Sequence, residues 1–285
     1  MKKLLRKIWD AVRENLVYDF WVDTDSAQGD GAGYTARGDE QAETPPSSAP
    51  KSSPQRKYAL GLASCWDGAN ASRRMMNVLS PRMSDAKFRE YVAWMQGRGC
   101  DTAHVILANG GDGEAAGYAA WRDADRAAML ARLNALKAAG FAVVPWIITD
   151  DSAALLKELF GNPEKLVAKC EDFLAGSLCV VLGLEMDEGG SAANWAAVRT
   201  AVRRVYSGPL AVHHTSGNAF KFAALGDIVM GQLDPNCTTA QIKSQIDYIR
   251  KNLGKRAVGF EYARNADRKR AQAALDAGAE GCGNW

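Results

Sequence analysis

Three acids fall within four positions, at Glu185, Asp187 and Glu188, in the stretch LGLEMDEGG. The stretch follows an apolar run, CVV, and precedes two glycines. Carboxylates at the end of a strand can be simple solvated polar groups. Paired carboxyls can also perform acid–base or nucleophilic chemistry, provided one holds a proton near neutral pH while the other stays ionised. Close neighbours favour that division, because one negative charge raises the pKa of the next carboxyl. A further acid, Glu261, ends a separate apolar run, AVGFE. Whether such groups can act together depends on the elements that carry them.

From Tyr58 onward the chain alternates short apolar runs with amphipathic segments. YALGLASCW, TAHVILAN, AVVPWIITD, LCVVLGLEMDEG, PLAVHHTS, IVMGQLD, AVGFEYAR and AEGCGNW have strand length and strand composition. Helical segments separate them. One begins at a Ser84 N-cap, with Phe88, Tyr91, Val92 and Met95 at helical spacing, and another stops at Gly140. Eight strands alternating with helices over residues 58–285 predict an α/β fold of the (β/α)8 TIM-barrel type. An open doubly wound sheet is the main rival. It would place a Gly-rich phosphate turn after the first strand, and CWDGANASRR has neither GxGxxG nor Walker A spacing.

A barrel of this type places its active site at the C-terminal ends of its strands. The residues there are Trp66 and Asp67, Asn109, then Trp146, Thr149 and Asp150. Next come the three acids of the fourth strand, His213 and His214, Gln232 and Asp234, Glu261 and Tyr262, and finally Asn284 and Trp285. Nearly every strand ends in a polar or aromatic group. Alternation along the fourth strand puts Glu185 and Asp187 on one face and Leu182, Leu184 and Met186 on the other. The large apolar set should meet the helices, which turns the two acids inward and leaves Glu188 to the rim. The same reasoning turns Glu261 inward with Gly259. It also sends His213 inward and His214 outward, so the adjacent histidines do not act as joint metal ligands. No cofactor motif and no metal-ligand set is read.

An inward glutamate ending strand four and another ending strand seven is similar to the arrangement in retaining glycoside hydrolases of clan A. That resemblance implies Glu185 as acid/base and Glu261 as nucleophile; Asp187, close to Glu185, would help raise the pKa of whichever acid is protonated. Clan A usually has Asn just before its acid/base, and Leu184 stands there. GLEMDEG also resembles the DxxDxDxE motif of family-18 chitinases, and MGQLD their MxYD. GLASCWDG resembles the first strand of family-25 muramidases. All three groups cleave glycosidic bonds, so a carbohydrate substrate is implied. Trp66, Trp146 and Trp285 would then stack on sugar faces, and Asp67, Asn109, His213, Gln232 and Tyr262 would complete the binding surface. The alternatives are another barrel enzyme and a non-catalytic binding or structural barrel, since a fold does not fix a function.

Residues 1–21 place Leu4, Leu5, Ile8, Trp9, Val12 and Leu16 on one helical face. Asp10, Arg13 and Glu14 interrupt the apolar stretch, so it does not read as a cleavable signal peptide. The barrel itself, a partner protein, self-association or a membrane surface could cover that face, and a docking or oligomerisation helix is the favoured reading over a membrane helix. Residues 22–57 are rich in Gly, Ser, Pro and charge and read as a flexible linker. Helix, tether and barrel also describe a module displayed on a larger assembly, and parts of NASRRMMNVLSP and YVAWMQGRGC resemble phage-encoded proteins. The expected site of synthesis is the cytoplasm, with delivery or display on a phage particle.

Lys+Arg number 35 against 33 Asp+Glu, a balance without the basic stripe of a nucleic-acid binder. No apolar run has the length of a transmembrane helix. The six cysteines form no CxxC pair and read as reduced and buried.

Overall fold

The computed structural model describes residues 60–62, 79, 83–97, 101–108, 123–148, 153–215, 220–233, 237–261 and 268–284. The expected docking helix and linker lie outside these residues. So do Trp66, Asp67, Asn109, Thr149, Asp150, Asp234, Tyr262 and Trp285.

Eight parallel strands form the centre. They are β1 (Leu60–Leu62), β2 (Thr102–Ile106), β3 (Ala142–Trp146), β4 (Val180–Val181), β5 (Leu210–His214), β6 (Ile228–Leu233), β7 (Arg256–Glu261) and β8 (Cys282–Asn284). Each pairs with its neighbour in the sequence, and β8 pairs back to β1, so the sheet closes into a barrel. Helices α1 (Asp85–Gly97) and α2 (Asp123–Ala138) follow β1 and β2. Three short helices, α3 (Ala153–Gly161), α4 (Pro163–Ala168) and α5 (Glu171–Leu174), lie between β3 and β4. Helix α6 (Ala192–Val205) follows β4, and a 3-10 turn at Ala223–Leu225 separates β5 from β6. Helix α7 (Thr239–Asp247) runs into a π-helical turn, Tyr248–Asn252, and α8 (Arg268–Asp276) precedes β8.

The local signals act as expected. The Ser84 hydroxyl accepts the Lys87 N–H at 3.2 Å and starts α1. Gly140, at φ +92°, ends α2 in the left-handed conformation that a residue without Cβ adopts freely. Helix α6 begins with a capping box, in which Ser191 and Asn194 each satisfy the other's backbone N–H.

The apolar residues form two layers. Ile106, Val144, Trp146, Val181, Met230 and Val258 fill the inside of the barrel. Val105, Val143, Val180, Val212 and Val229 pack outward, in the layer that also holds the buried faces of the helices. Both faces of the strands are therefore buried, as a sheet wrapped in helices requires. Cys170, Cys179 and Cys282 are buried free thiols and Cys237 is half-buried, while Cys65 and Cys100 lie outside the described residues.

Two facing assignments change. On β7, Val258 belongs to the interior layer. A Cβ on Gly259 would lie 3.2 Å from the Ala274 Cβ of α8, so Gly259 faces the helices. The inner face of β7 is thus the one that carries Val258, not Gly259, so alternation no longer turns Glu261 inward with Gly259. The strand expected through Glu188 is also much shorter. β4 proper ends at Val181, and Leu184 to Glu188 form a turn.

The cause of the second change is a break in register. The amides of Val180 and Leu182 donate to β5, to the carbonyls of Pro209 and Ala211. The amide of Leu184 donates the other way, to Ile148 after β3. Residues two apart on a regular strand point to the same neighbour, so one extra residue is accommodated here. That residue is Gly183. A Cβ on it would lie 2.5 Å from Trp195 Cη2, so the indole of α6 occupies the space a side chain would need. Leu184 consequently turns into the barrel interior, opposite to the face that alternation predicts.

Candidate active site

Glu185 sits two residues beyond Gly183, in the turn that follows β4, with a φ of +44°. A residue with a side chain pays about 1–2 kcal/mol for that left-handed conformation, and such outliers concentrate at functional sites. The residue is only 5% exposed. Its N–H donates to the Nδ1 of His213 at 3.0 Å, and its carbonyl accepts the Glu188 N–H at 2.9 Å, which closes the turn.

Asp187 is half-buried, and both of its carboxylate oxygens are engaged. Oδ1 accepts the Thr215 N–H at 3.0 Å and Oδ2 accepts the Thr215 hydroxyl at 2.6 Å. Lys221 donates to the Asp187 carbonyl at 2.9 Å. Asp187 therefore ties the turn after β4 to the segment after β5. Glu188 is exposed. Expected as a pair on one strand face, Glu185 and Asp187 instead occupy a turn, where one is buried and the other fastens the segments together.

Behind Glu185 lies an aromatic column inside the barrel. Trp146 and His213 stand 5.2 Å apart between ring centroids, and Trp146 and His104 5.9 Å apart. The Trp146 Nε1–H donates to His104 Nδ1 at 3.0 Å. All three residues are buried to within 1% of complete. Trp146, expected as a sugar platform, is therefore a packing residue beneath the mouth, because histidines flank its ring and none of it is exposed. His213 does point inward and His214 outward, where His214 packs against Phe220 and Phe222 and accepts the Phe222 N–H at 3.1 Å. Gln232 is buried on β6. The backbone of Glu261 lies in register with Leu233 of β6 and Asn284 of β8, while its side chain lies outside the described residues. His104 was missed from sequence. The available signal was a lone imidazole in the middle of an otherwise apolar run, TAHVILAN.

Burial holds both interior imidazoles far down, His104 at about 3 and His213 at about 3, the latter helped by its neighbours His214 and His104. Both are neutral in the folded protein and protonate near 6.5 once unfolded. The unfolded chain therefore binds more protons below that value, so stability is intact above about pH 6.5 and falls as the pH drops toward 3. At about 1.4 kcal/mol per pKa unit, each histidine removes roughly 3 kcal/mol by pH 4. Urea midpoints measured at pH 7 and pH 4 should differ accordingly, and equal midpoints would contradict the buried neutral column.

Among the described residues, no group of three or more His, Cys, Asp or Glu is placed to hold a metal ion. No helix among them is long and apolar enough to cross a membrane.

A closed parallel barrel is an architecture shared with solved glycoside hydrolases. One is a GH113 beta-1,4-mannanase, at a TM-score of 0.56 and 14% identity over 80% of this chain and 88% of that one. A putative glycoside hydrolase from Bacteroides vulgatus ATCC 8482 reaches a TM-score of 0.58 at 13% identity, over 80% of this chain but 50% of that one. The apo beta-glucosidase 1317 gives a TM-score of 0.53 at 13% identity, over 80% of this chain and 88% of that one. At these identities the likeness is one of fold. No family model matches the chain, and no curated protein matches it.

Proposed function

We propose that the protein is a glycoside hydrolase, with Glu185 as acid/base and Glu261 as its carboxylate partner. The observation that carries the reading is Glu185 itself, a buried acid in a costly left-handed turn at the C-terminal end of a barrel strand. The role asks of Glu185 a proton held near neutral pH, to be given up as the bond breaks. Glu261 ends β7, three strands further round the ring, and as the last residue of the strand it must leave the regular alternation for its carboxyl to reach the mouth. In this mechanism Glu185 protonates the glycosidic oxygen as the bond to the leaving sugar breaks. Glu261 either attacks the anomeric carbon or activates water, according to the separation of the two carboxyls. Asp187 serves by holding the turn to Thr215.

The solved neighbours suggest the first substrates to try, a β-1,4-mannan and a β-glucoside. Release of reducing sugar by the full chain is the expected result. Absence of turnover across a panel of β-linked polysaccharides and aryl glycosides would contradict it.

One observation favours a second reading, a barrel that binds sugar without cleaving it. Leu184 stands where the clan-A pattern has Asn, and it is turned into the apolar interior. Binding on a glycan array together with no turnover would select this reading.

A further inference from the structure

Three successive amides fix the backbone at Glu185. The Leu184 N–H donates toward β3, to Ile148. The next two both turn toward β5 and end on one residue. The Glu185 N–H donates to His213 Nδ1 at 3.0 Å, and the Met186 N–H to the His213 carbonyl at 3.0 Å. Successive N–H groups of an extended strand point to opposite neighbours. Here two in a row converge, and the left-handed φ of Glu185 brings them together. The accepting ring is itself immobilised, since it is fully buried against Trp146, which is anchored in turn by its bond to His104. With Nδ1 as acceptor, the imidazole proton resides on Nε2.

We propose that His213 is the positioning residue of Glu185: its ring Nδ1 and its main-chain carbonyl clamp the two amides that set the backbone from which the Glu185 carboxyl departs. The proposal rests on the reading of Glu185 as acid/base. His213 acts through Glu185 and not on the substrate. Its effect on rate is one of geometry, since misplacing a reacting group by about 1 Å costs about 10²-fold.

Two amide variants test the clamp. His213→Asn places a side-chain oxygen where Nδ1 stands, whereas His213→Gln carries it one carbon further out. His213→Phe, which keeps a ring against Trp146 but has no acceptor, replaces the Gln variant if that fails to fold. The readouts are the backbone amide resonance of Glu185 in 15N-Glu-labelled full chain and the kinetics of β-1,4-mannan hydrolysis. In the Gln or Phe variant the Glu185 amide should leave its hydrogen-bonded position and exchange faster, while kcat falls about 10²-fold and KM stays near wild type. The Asn variant should restore the resonance and most of kcat. Equal losses in the Asn and Gln variants, or an unmoved Glu185 amide in the Gln or Phe variant, overturn the clamp. A wild-type chain that hydrolyses no glycoside removes the acid/base reading instead, and the amide resonance still decides whether His213 holds the turn.

Discussion

Glu185→Gln is expected to abolish hydrolysis while leaving the fold intact. The amide is isosteric with the carboxyl, so the turn, its bond to His213 and its closure onto Glu188 all survive. What is lost is the transferable proton, and general acid–base catalysis typically contributes 10²–10⁴-fold. Glu261→Gln should cost at least as much, because it removes the group that attacks or activates water. Initial rates on the preferred substrate measure both losses, and thermal melts of the two variants control for folding. Wild-type rates in both would remove the pair from the mechanism. A substrate with a good leaving group sharpens the distinction. It relieves the need for a general acid, so it should partly rescue Glu185→Gln and leave Glu261→Gln inactive.

The largest loss of stability is expected at Trp195. The residue is 1% exposed, and its indole fills the space left by Gly183 and meets Phe160 edge-on at 5.0 Å. Its Nε1–H reaches two carbonyls of the Glu185 turn, Gly189 at 2.7 Å and Met186 at 3.1 Å. Trp195→Ala removes the packing and the donor together, and buried tryptophans truncated in this way typically cost about 3–5 kcal/mol. Trp195→Phe retains most of the ring and strands the carbonyls, at about 1–3 kcal/mol. Denaturant unfolding gives both values. The Phe variant should also lower kcat, because the turn that carries Glu185 loses its outer anchor. Losses below about 0.5 kcal/mol in both variants, the range typical of plain surface changes, would show that the turn does not depend on this indole.

Much of the barrel was legible in the sequence. β2, β3, β5, β6 and β7 follow their apolar runs closely, and the cap at Ser84 and the stop at Gly140 fall where residue chemistry predicts them. The facing of side chains was harder to read. Alternation separates inside from outside only when one face is polar, and here both are buried. Large side chains were assigned to the helix side. Yet Val258 fills the interior, while Gly259 allows α8 to approach through Ala274. On the fourth run, parity fails at Gly183, because its missing side chain admits an indole from a helix that follows it in the chain. No local pattern announces such a contact. Glu185, read as an inward acid on a strand, is buried in a turn beyond it, and its left-handed backbone, its bond to His213 and the employment of Asp187 by Thr215 are all products of tertiary packing.

In the proposed mechanism Glu185 and Glu261 form one working pair across the mouth of the barrel. The most direct measurement is the distance between their carboxyl groups in a crystal structure of the full chain. The expected distance is about 5–5.5 Å for a retaining enzyme or about 6.5–9.5 Å for an inverting one. A separation well beyond about 10 Å would contradict it.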